Sequence, residues 1–319
     1  MTDSPKPEFA TALGISAVER DTGLSKDILR IWERRYGFPN PTRDQHGERL
    51  YPAEQVEKLR IIRRLMAAGH RPGRIIALSA EQLLELAAKS VDPALLAGSA
   101  DDLHGRLHGD YLQLLKAHQV GRLRHLLMRD ALRLGIERFV TELIAPLNRI
   151  VGDSWASGQL EVFEEHLYSE SVQMVLRSLV GSIPPFERRP YVLLTTFPQE
   201  PHGLGLLMSE AVLSLDGCRC VSLGVQTPIA DIARTAVLQQ ADVVGLSFSP
   251  ILTASQVLDG LEGLRAQLPP EVEIWAGGHN PVLQRRPPAQ IRVMRDLSGL
   301  HEALAEWRAA HPEAAAEAL

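Results

Sequence analysis

The feature that most constrains this chain is a change of period near residue 190. Before it, apolar residues recur at three- and four-residue spacing. Beyond it, Tyr191–Phe197, Cys218–Leu223, Asp242–Ser249 and Glu271–Ala276 are short runs rich in Val, Ile and Leu, with helical segments at 203–216, 228–240 and 254–267 between them. Ile291–Arg295 reads as a weak fifth strand and Leu300–Ala310 as a closing helix. Strands that alternate with helices are joined by crossovers, so the spacing predicts a Rossmann-like parallel sheet with helices on both faces.

Between residues 110 and 180 the pattern predicts helices alone. Tyr111–Lys116, Val120–Leu134, Ile136–Gly152 and Val162–Val180 each carry an apolar stripe, and four such helices make a bundle. Residues 89–109, with Pro93 and Gly98, Gly105 and Gly109, read as a linker, and Gly181–Pro185 as a second. Nearer the N-terminus, Gly14–Tyr36 holds two short helical patterns. Ser25 stands at an N-cap position, and Gly37, Pro39 and Pro41 end the second helix. Pro41–Tyr51 suits a small β-wing, Pro52 opens a helix that runs to Gly69, and further helices follow Pro72 and Ser79. The expected fold is multidomain α and α/β: a winged helix-turn-helix over 1–88, a four-helix bundle over 105–182 and a Rossmann-like sheet over 187–319. Residues 1–10 read as a loose tail, and 309–318 as an Ala-rich one.

Composition excludes several classes. With 45% hydrophobic and 23% charged residues among 319, the chain is neither largely disordered nor collagen-like. Its apolar stretches break within about ten residues, short of the ~20 that span a bilayer. The N-terminus lacks the pattern of a signal peptide. Cys218 and Cys220 point to opposite faces of a strand, which argues against a disulfide between them. The expectation is a cytoplasmic chain without a membrane partner.

The net charge of −5 hides an asymmetry. Between Arg20 and Arg74 there are 13 Lys and Arg against 7 Asp and Glu. A basic module on an acidic body suggests a polyanion partner, although a solvated charged face has the same composition. Ser25, Lys26, Arg30, Arg34 and Arg35 lie on or beside the second helix, which can enter a major groove. Arg43 and Arg49 lie on the wing, within reach of phosphates. Arg30 has a structural alternative, an ion pair with Glu33 or Glu54.

The words Gly14-Ile15-Ser16-Ala17-Val18, Thr22-Gly23-Leu24-Ser25, Leu29-Arg30-Ile31-Trp32-Glu33-Arg34-Arg35-Tyr36 and Arg49-Leu50-Tyr51-Pro52 resemble the MerR family of transcription regulators. The resemblance covers about the first 75 residues. It implies dimeric binding to a palindromic operator in double-stranded DNA, with Tyr51 added to the DNA-binding set.

In the sheet, Glu200-Pro201-His202-Gly203-Leu204-Gly205 follows the first strand and Gly277-Gly278 the fourth. Ligands of open α/β sheets bind outside the carboxyl ends of the strands. In an irregular loop, His202 can extend to a metal, with Glu200 holding its second nitrogen. A lone loop histidine does not establish a ligand. Ser247, Ser249 and Thr253 can line a polar pocket, though Thr253 and Ser255 fit helix caps equally well. Gly277 and Gly278 allow a flat ligand to approach the backbone. Together these words resemble the cobalamin-binding domain of methionine synthase and corrinoid proteins, whose pattern is Asp-x-His-x-x-Gly, Ser-x-Leu and Gly-Gly. The resemblance implies that His202 is the cobalt ligand and that Gly205, Ser247, Ser249, Gly277 and Gly278 border the cofactor. It departs at two positions. Glu200 replaces Asp, which is expected to displace the hydrogen bond to His202. Ser249 replaces Leu in the pocket for the dimethylbenzimidazole tail.

The order of the three modules, with Trp155 spaced nine residues from Glu165-His166, resembles the CarH/LitR photoreceptor regulators. That resemblance implies a repressor in which Trp155, Glu165 and His166 face the upper axial group of cobalamin. The group is 5′-deoxyadenosyl in that family, and green or blue light breaks its cobalt–carbon bond; methylcobalamin is the alternative for this chain. It also implies a homo-oligomer, dimer or tetramer. The alternatives are a corrinoid methyl-transfer protein or mutase, against which the fused DNA module argues, and a MerR-like regulator responding to another ligand or a protein antagonist.

Overall fold

The computed structural model describes residues 12–45, 47–67, 70–90, 103–184 and 188–312. The expected tails at 1–10 and beyond 312, the helix end at Gly69, the linker residues 91–102 and Pro185 lie outside them. The chain divides into two compact units, residues 1–93 with 153–159, and residues 94–152 with 160–319.

In the first unit, β1 (Leu13–Gly14), α1 (Ile15–Thr22) and α2 (Lys26–Tyr36) are followed by β2 (Thr42–Arg43), β3 (Arg49–Tyr51), α3 (Ala53–Ala67), α4 (Pro72–Ile75) and α5 (Ala80–Ser90). The strands form an antiparallel ribbon in the order β1-β3-β2. Gly23 closes α1 in the left-handed conformation, and the Ser25 side chain accepts the Ile28 N–H to open α2. A three-residue turn, Gly23-Leu24-Ser25, thus separates the helices. Val18, Leu24, Leu29, Trp32, Leu59 and Ile62 form the core beneath them.

The second unit begins with α6 (Leu103–Lys116) and α7 (Val120–Leu134). The start of α6 corrects the linker expected over 89–109. Leu103, Leu107, Tyr111 and Leu115 recur every fourth residue, and a glycine inside a helix costs only about 1 kcal/mol. The third bundle helix is also not uniform. It runs as α8 (Ile136–Arg138), a π-helical segment Phe139–Ile144 and α9 (Ala145–Ala156), whose residues from Asp153 on are counted with the first unit. Pro146 explains the interruption, because it has no N–H to give the Glu142 carbonyl and its ring would crowd that oxygen. The wider turn, with Ala145 N–H on the Val140 carbonyl, ends just before it. α10 (Val162–Ser182) completes the bundle and extends into the second expected linker.

The sheet then follows as β4 (Arg188–Thr195), α11 (Leu204–Leu215), β5 (Cys218–Gly224), α12 (Ile229–Leu238), β6 (Val243–Phe248), α13 (Ala254–Arg265), β7 (Glu273–Gly278), α14 (Pro281–Arg285), β8 (Arg292–Val293) and α15 (Gly299–Ala310). All neighbours are parallel, in the order β5-β4-β6-β7-β8. The first and third strands of the sheet are adjacent, so the chain leaves them in opposite directions. Such a switch point opens a crevice at the strand ends. The loop after β4 and the loop after β6 border it. The bundle seats on α11, where the Tyr168 hydroxyl donates to Asn148 (2.6 Å) and the Asn148 amide lies 3.5 Å from the Met208 sulfur. Both cysteines are free thiols. No helix among the described residues is long and apolar enough to cross a membrane.

Candidate functional site

The loop between β4 and α11 is tied down before it reaches His202. The Thr196 hydroxyl donates to the Glu200 carbonyl (2.7 Å) and accepts the Gln226 N–H (2.8 Å), joining this loop to the one after β5. Glu200 is fully buried. Its carboxylate accepts from His202 Nδ1 (2.6 Å), the His202 N–H (3.2 Å), the Ser249 N–H (2.7 Å) and the Ser249 hydroxyl (3.1 Å). Burial pushes the Glu200 carboxyl up, but these donors outweigh it and hold the group below its ordinary value.

This geometry corrects the expectation that the longer Glu200 side chain displaces the bond to His202. The bond is present, and Ser249 supplies a second anchor across the crevice. Ser249 is therefore a donor to the buried acid. An ionised carboxylate only accepts, so Nδ1 of His202 carries the proton and Nε2 presents its lone pair. The His202 side chain is 56% exposed, and Nε2 has no partner among the described residues. This arrangement leaves one nitrogen fixed by the protein and the other free to ligate a metal.

The remaining residues expected beside His202 differ in role. Ser247, near the end of β6, is half-buried, and its hydroxyl is unpartnered among the described residues. Gly205 lies so close that a Cβ there would stand 2.6 Å from the Ser247 oxygen. Gly278 has φ +104°, and a Cβ would meet the Phe248 carbonyl at 2.2 Å. Its missing side chain thus admits the neighbouring strand as well as any ligand. Gly277 has no such crowding, its nearest contact being ordinary. Thr253 forms a reciprocal cap with Gln256 at the start of α13, which corrects the pocket-lining alternative. Sequence reasoning missed Asn280. Its buried amide donates to the Ser249 and Leu252 carbonyls (2.9 and 3.0 Å), and its oxygen accepts the Val282 N–H, fixing the loop that carries Ser249. The Asn280-Pro281 step, a helix-start signal, was the available clue.

Trp155 lies in the last turn of α9, half-buried, its indole N–H buried without a partner. Glu165 and His166 occupy the first turn of α10. The Ser169 hydroxyl donates to Glu165 (2.5 Å), and His166 Nε2 stands 3.7 Å from the other Glu165 oxygen. His166 is 70% exposed.

The DNA-binding set also separates. Arg34 and Arg35 are exposed on α2. Arg30 pairs with Asp27 (3.2 Å) rather than Glu33 or Glu54, and Lys26 lies 3.7 Å from Glu19. Arg43 is exposed on the wing and donates to the Gly47 carbonyl (2.6 Å). Arg49 is half-buried and pairs with Glu33 (2.8 Å), bracing the wing against α2. Tyr51 is fully buried in the module's core, its hydroxyl unpartnered among the described residues, which corrects the expectation that its side chain faces DNA. Its place in the sequence word follows from packing under the wing.

Three family models match the chain: a MerR HTH family regulatory protein over residues 13–82, and B12 binding domains over 110–179 and 190–291. The chain is 32% identical over 262 residues to the HTH-type transcriptional repressor CarH of Myxococcus xanthus, covering 80% of this chain and 85% of the relative. It is 30% identical over 260 residues to the HTH-type transcriptional repressor CarA of the same organism, covering 81% and 84%. Among solved structures, the monomethylamine corrinoid protein of Methanosarcina barkeri superposes with a TM-score of 0.51 at 14% identity, covering 63% of this chain and 98% of that one. The last similarity is one of fold.

Proposed function

Because the chain belongs to the family of HTH-type transcriptional repressors that includes CarH and CarA, a group of cobalamin-binding, DNA-binding regulators rather than enzymes, we propose that its grip on operator DNA is set by adenosylcobalamin and light. The observation that carries this reading is His202, with Nδ1 held by a buried carboxylate and Nε2 free.

The residues fit a cobalamin. His202 would hold the cobalt, with Glu200 setting its tautomer. Ser247 offers an unpartnered hydroxyl at the strand ends, and Gly205, Gly277 and Gly278 leave backbone without side chains beside it. Adenosylcobalamin, favoured here over methylcobalamin, would supply a light-sensitive cobalt–carbon bond. Trp155 is assigned the apolar cover for the adenosyl group, and Glu165 accepts from its ribose hydroxyls. His166, exposed and 3.7 Å from Glu165, would be a second candidate ligand for the metal.

In this reading the N-terminal module, the bundle and the sheet module act as three parts. Oligomers, dimeric or tetrameric, present several DNA modules at once in the cytoplasm. Loss of the adenosyl contacts shifts the bundle's equilibrium and removes bivalency, which costs orders of magnitude in apparent affinity.

The test is the visible spectrum, elution volume and operator binding of protein loaded with adenosylcobalamin, in darkness and after green light. The expected result is a larger, DNA-bound species in the dark and a smaller, released one afterwards. Identical elution and binding in both conditions overturn the light switch. Absence of any bound cobalamin spectrum overturns the cofactor reading itself.

A further inference from the structure

The groove-facing side of α2 carries one residue that its charge does not explain. Leu29 and Trp32 turn into the core, while Asp27, Arg30, Ile31, Arg34 and Arg35 face outward. Ile31 is 45% exposed. On a helix its neighbours are those three and four residues away, here Asp27, Ile28, Arg34 and Arg35, with Arg30 preceding it; Ile28 is half-buried and packs on the module's core, so the outward neighbours are charged. Ile31 is thus the apolar centre of a charged face. It is not among the side chains that pack on the module's core. Tyr36, the other large exposed apolar residue of α2, differs. Arg35 lies over its ring at 5.4 Å, and its hydroxyl rests beside Gly73.

We propose that Ile31 is a specificity-determining residue that reads the 5-methyl group of thymine in the major groove. The three arginines define the occupant, since their charge complements a phosphate-lined groove. Within that groove the one apolar feature on a base edge is the thymine methyl. The arginines supply affinity and hydrogen bonds to phosphates or guanine, which an isoleucine cannot do. Ile31 can contribute only by burying its side chain against another apolar group, and it discriminates because cytosine, adenine and guanine offer none at that edge.

The inference rests on the DNA-binding reading and is independent of the cofactor. The full chain, with and without adenosylcobalamin in the dark, is used to select duplexes from a random pool. Each thymine of the recovered duplex is then replaced singly by deoxyuridine, which removes only the methyl group. At one or more positions the replacement is expected to weaken wild-type binding about fourfold. In Ile31→Ala the same replacement should have no effect, while Ile31→Val keeps most of it. The salt dependence of binding should be alike in all three, because no phosphate contact is lost. Ile31→Gln, similar in length but polar at its end, is a second variant and should be equally insensitive to the methyl group. A wild type indifferent to every methyl, or an Ile31→Ala that stays equally sensitive, overturns the assignment. If no duplex is recovered, the DNA-binding reading fails and takes this inference with it.

Discussion

The outer face of α2 and the His202 loop both hold their charged groups in place, by opposite means. On α2 the ions are shared among exposed or half-exposed side chains: Arg30 with Asp27, Lys26 with Glu19, Arg49 with Glu33. Such pairs are worth at most about 1 kcal/mol each. They part readily, which suits the proposed exchange of carboxylates for phosphates. At the His202 loop a single carboxylate is removed from water and given four donors from two loops. A buried, satisfied charge specifies one geometry and is costly to disturb. The comparison teaches that the proposed DNA face is built for replaceable contacts and the proposed ligand loop for one fixed contact.

The largest break in that comparison comes from the backbone beneath the ligand loop. Gly278→Ala combines a positive φ with a Cβ 2.2 Å from the Phe248 carbonyl. It should cost about 3 kcal/mol or more, visible as a lowered urea midpoint of the sheet module. Next comes Glu200→Gln, which replaces one acceptor oxygen by a donor facing Ser249 or His202. Cobalamin affinity should fall about 10- to 100-fold in a spectroscopic titration. An unchanged affinity would show that the buried acid does not orient His202.

The two wing arginines sharpen the other half. Arg49→Ala removes the brace to Glu33 and should lower the module's stability by about 1 kcal/mol. Arg43→Ala should leave stability alone and reduce the salt slope of DNA binding by about one unit. Melting curves and salt titrations on both variants distinguish a brace from a phosphate contact. If Arg49→Ala instead changes only the salt slope, the ion pair with Glu33 is itself replaceable.

The smallest effect is one of pH. Burial raises the Glu210 carboxyl above its ordinary value, only partly opposed by Arg177. A raised folded-state pKa stabilises below the unfolded pKa, and that benefit is lost as pH rises through the folded value. Glu210→Gln should therefore raise Tm at pH 7 and leave it unchanged near pH 3. A lower Tm at pH 7 would mean that the attraction of Arg177 outweighs burial.

Much of the architecture was legible because it depends on local order. Period, caps and breakers placed the strands, the turn before Ser25 and the crevice that holds His202. The expectations for Tyr51 and Glu200 went astray for a common reason. A sequence word gives residue type and spacing, whereas burial and hydrogen-bond partners come from segments far along the chain.

The sequence by itself determined the parallel sheet, the helical bundle, the winged helix-turn-helix and the position of the candidate ligand, since alternation and spacing are properties of neighbouring residues. Only the tertiary structure decided what Glu200 does. Its partner Ser249 lies 49 residues away, and the two meet because β4 and β6 are adjacent at the switch point. The same holds for Arg49 and Glu33, joined when the wing folds back on α2. A hydrogen bond requires approach within about 3 Å, and in both pairs that approach is set by packing.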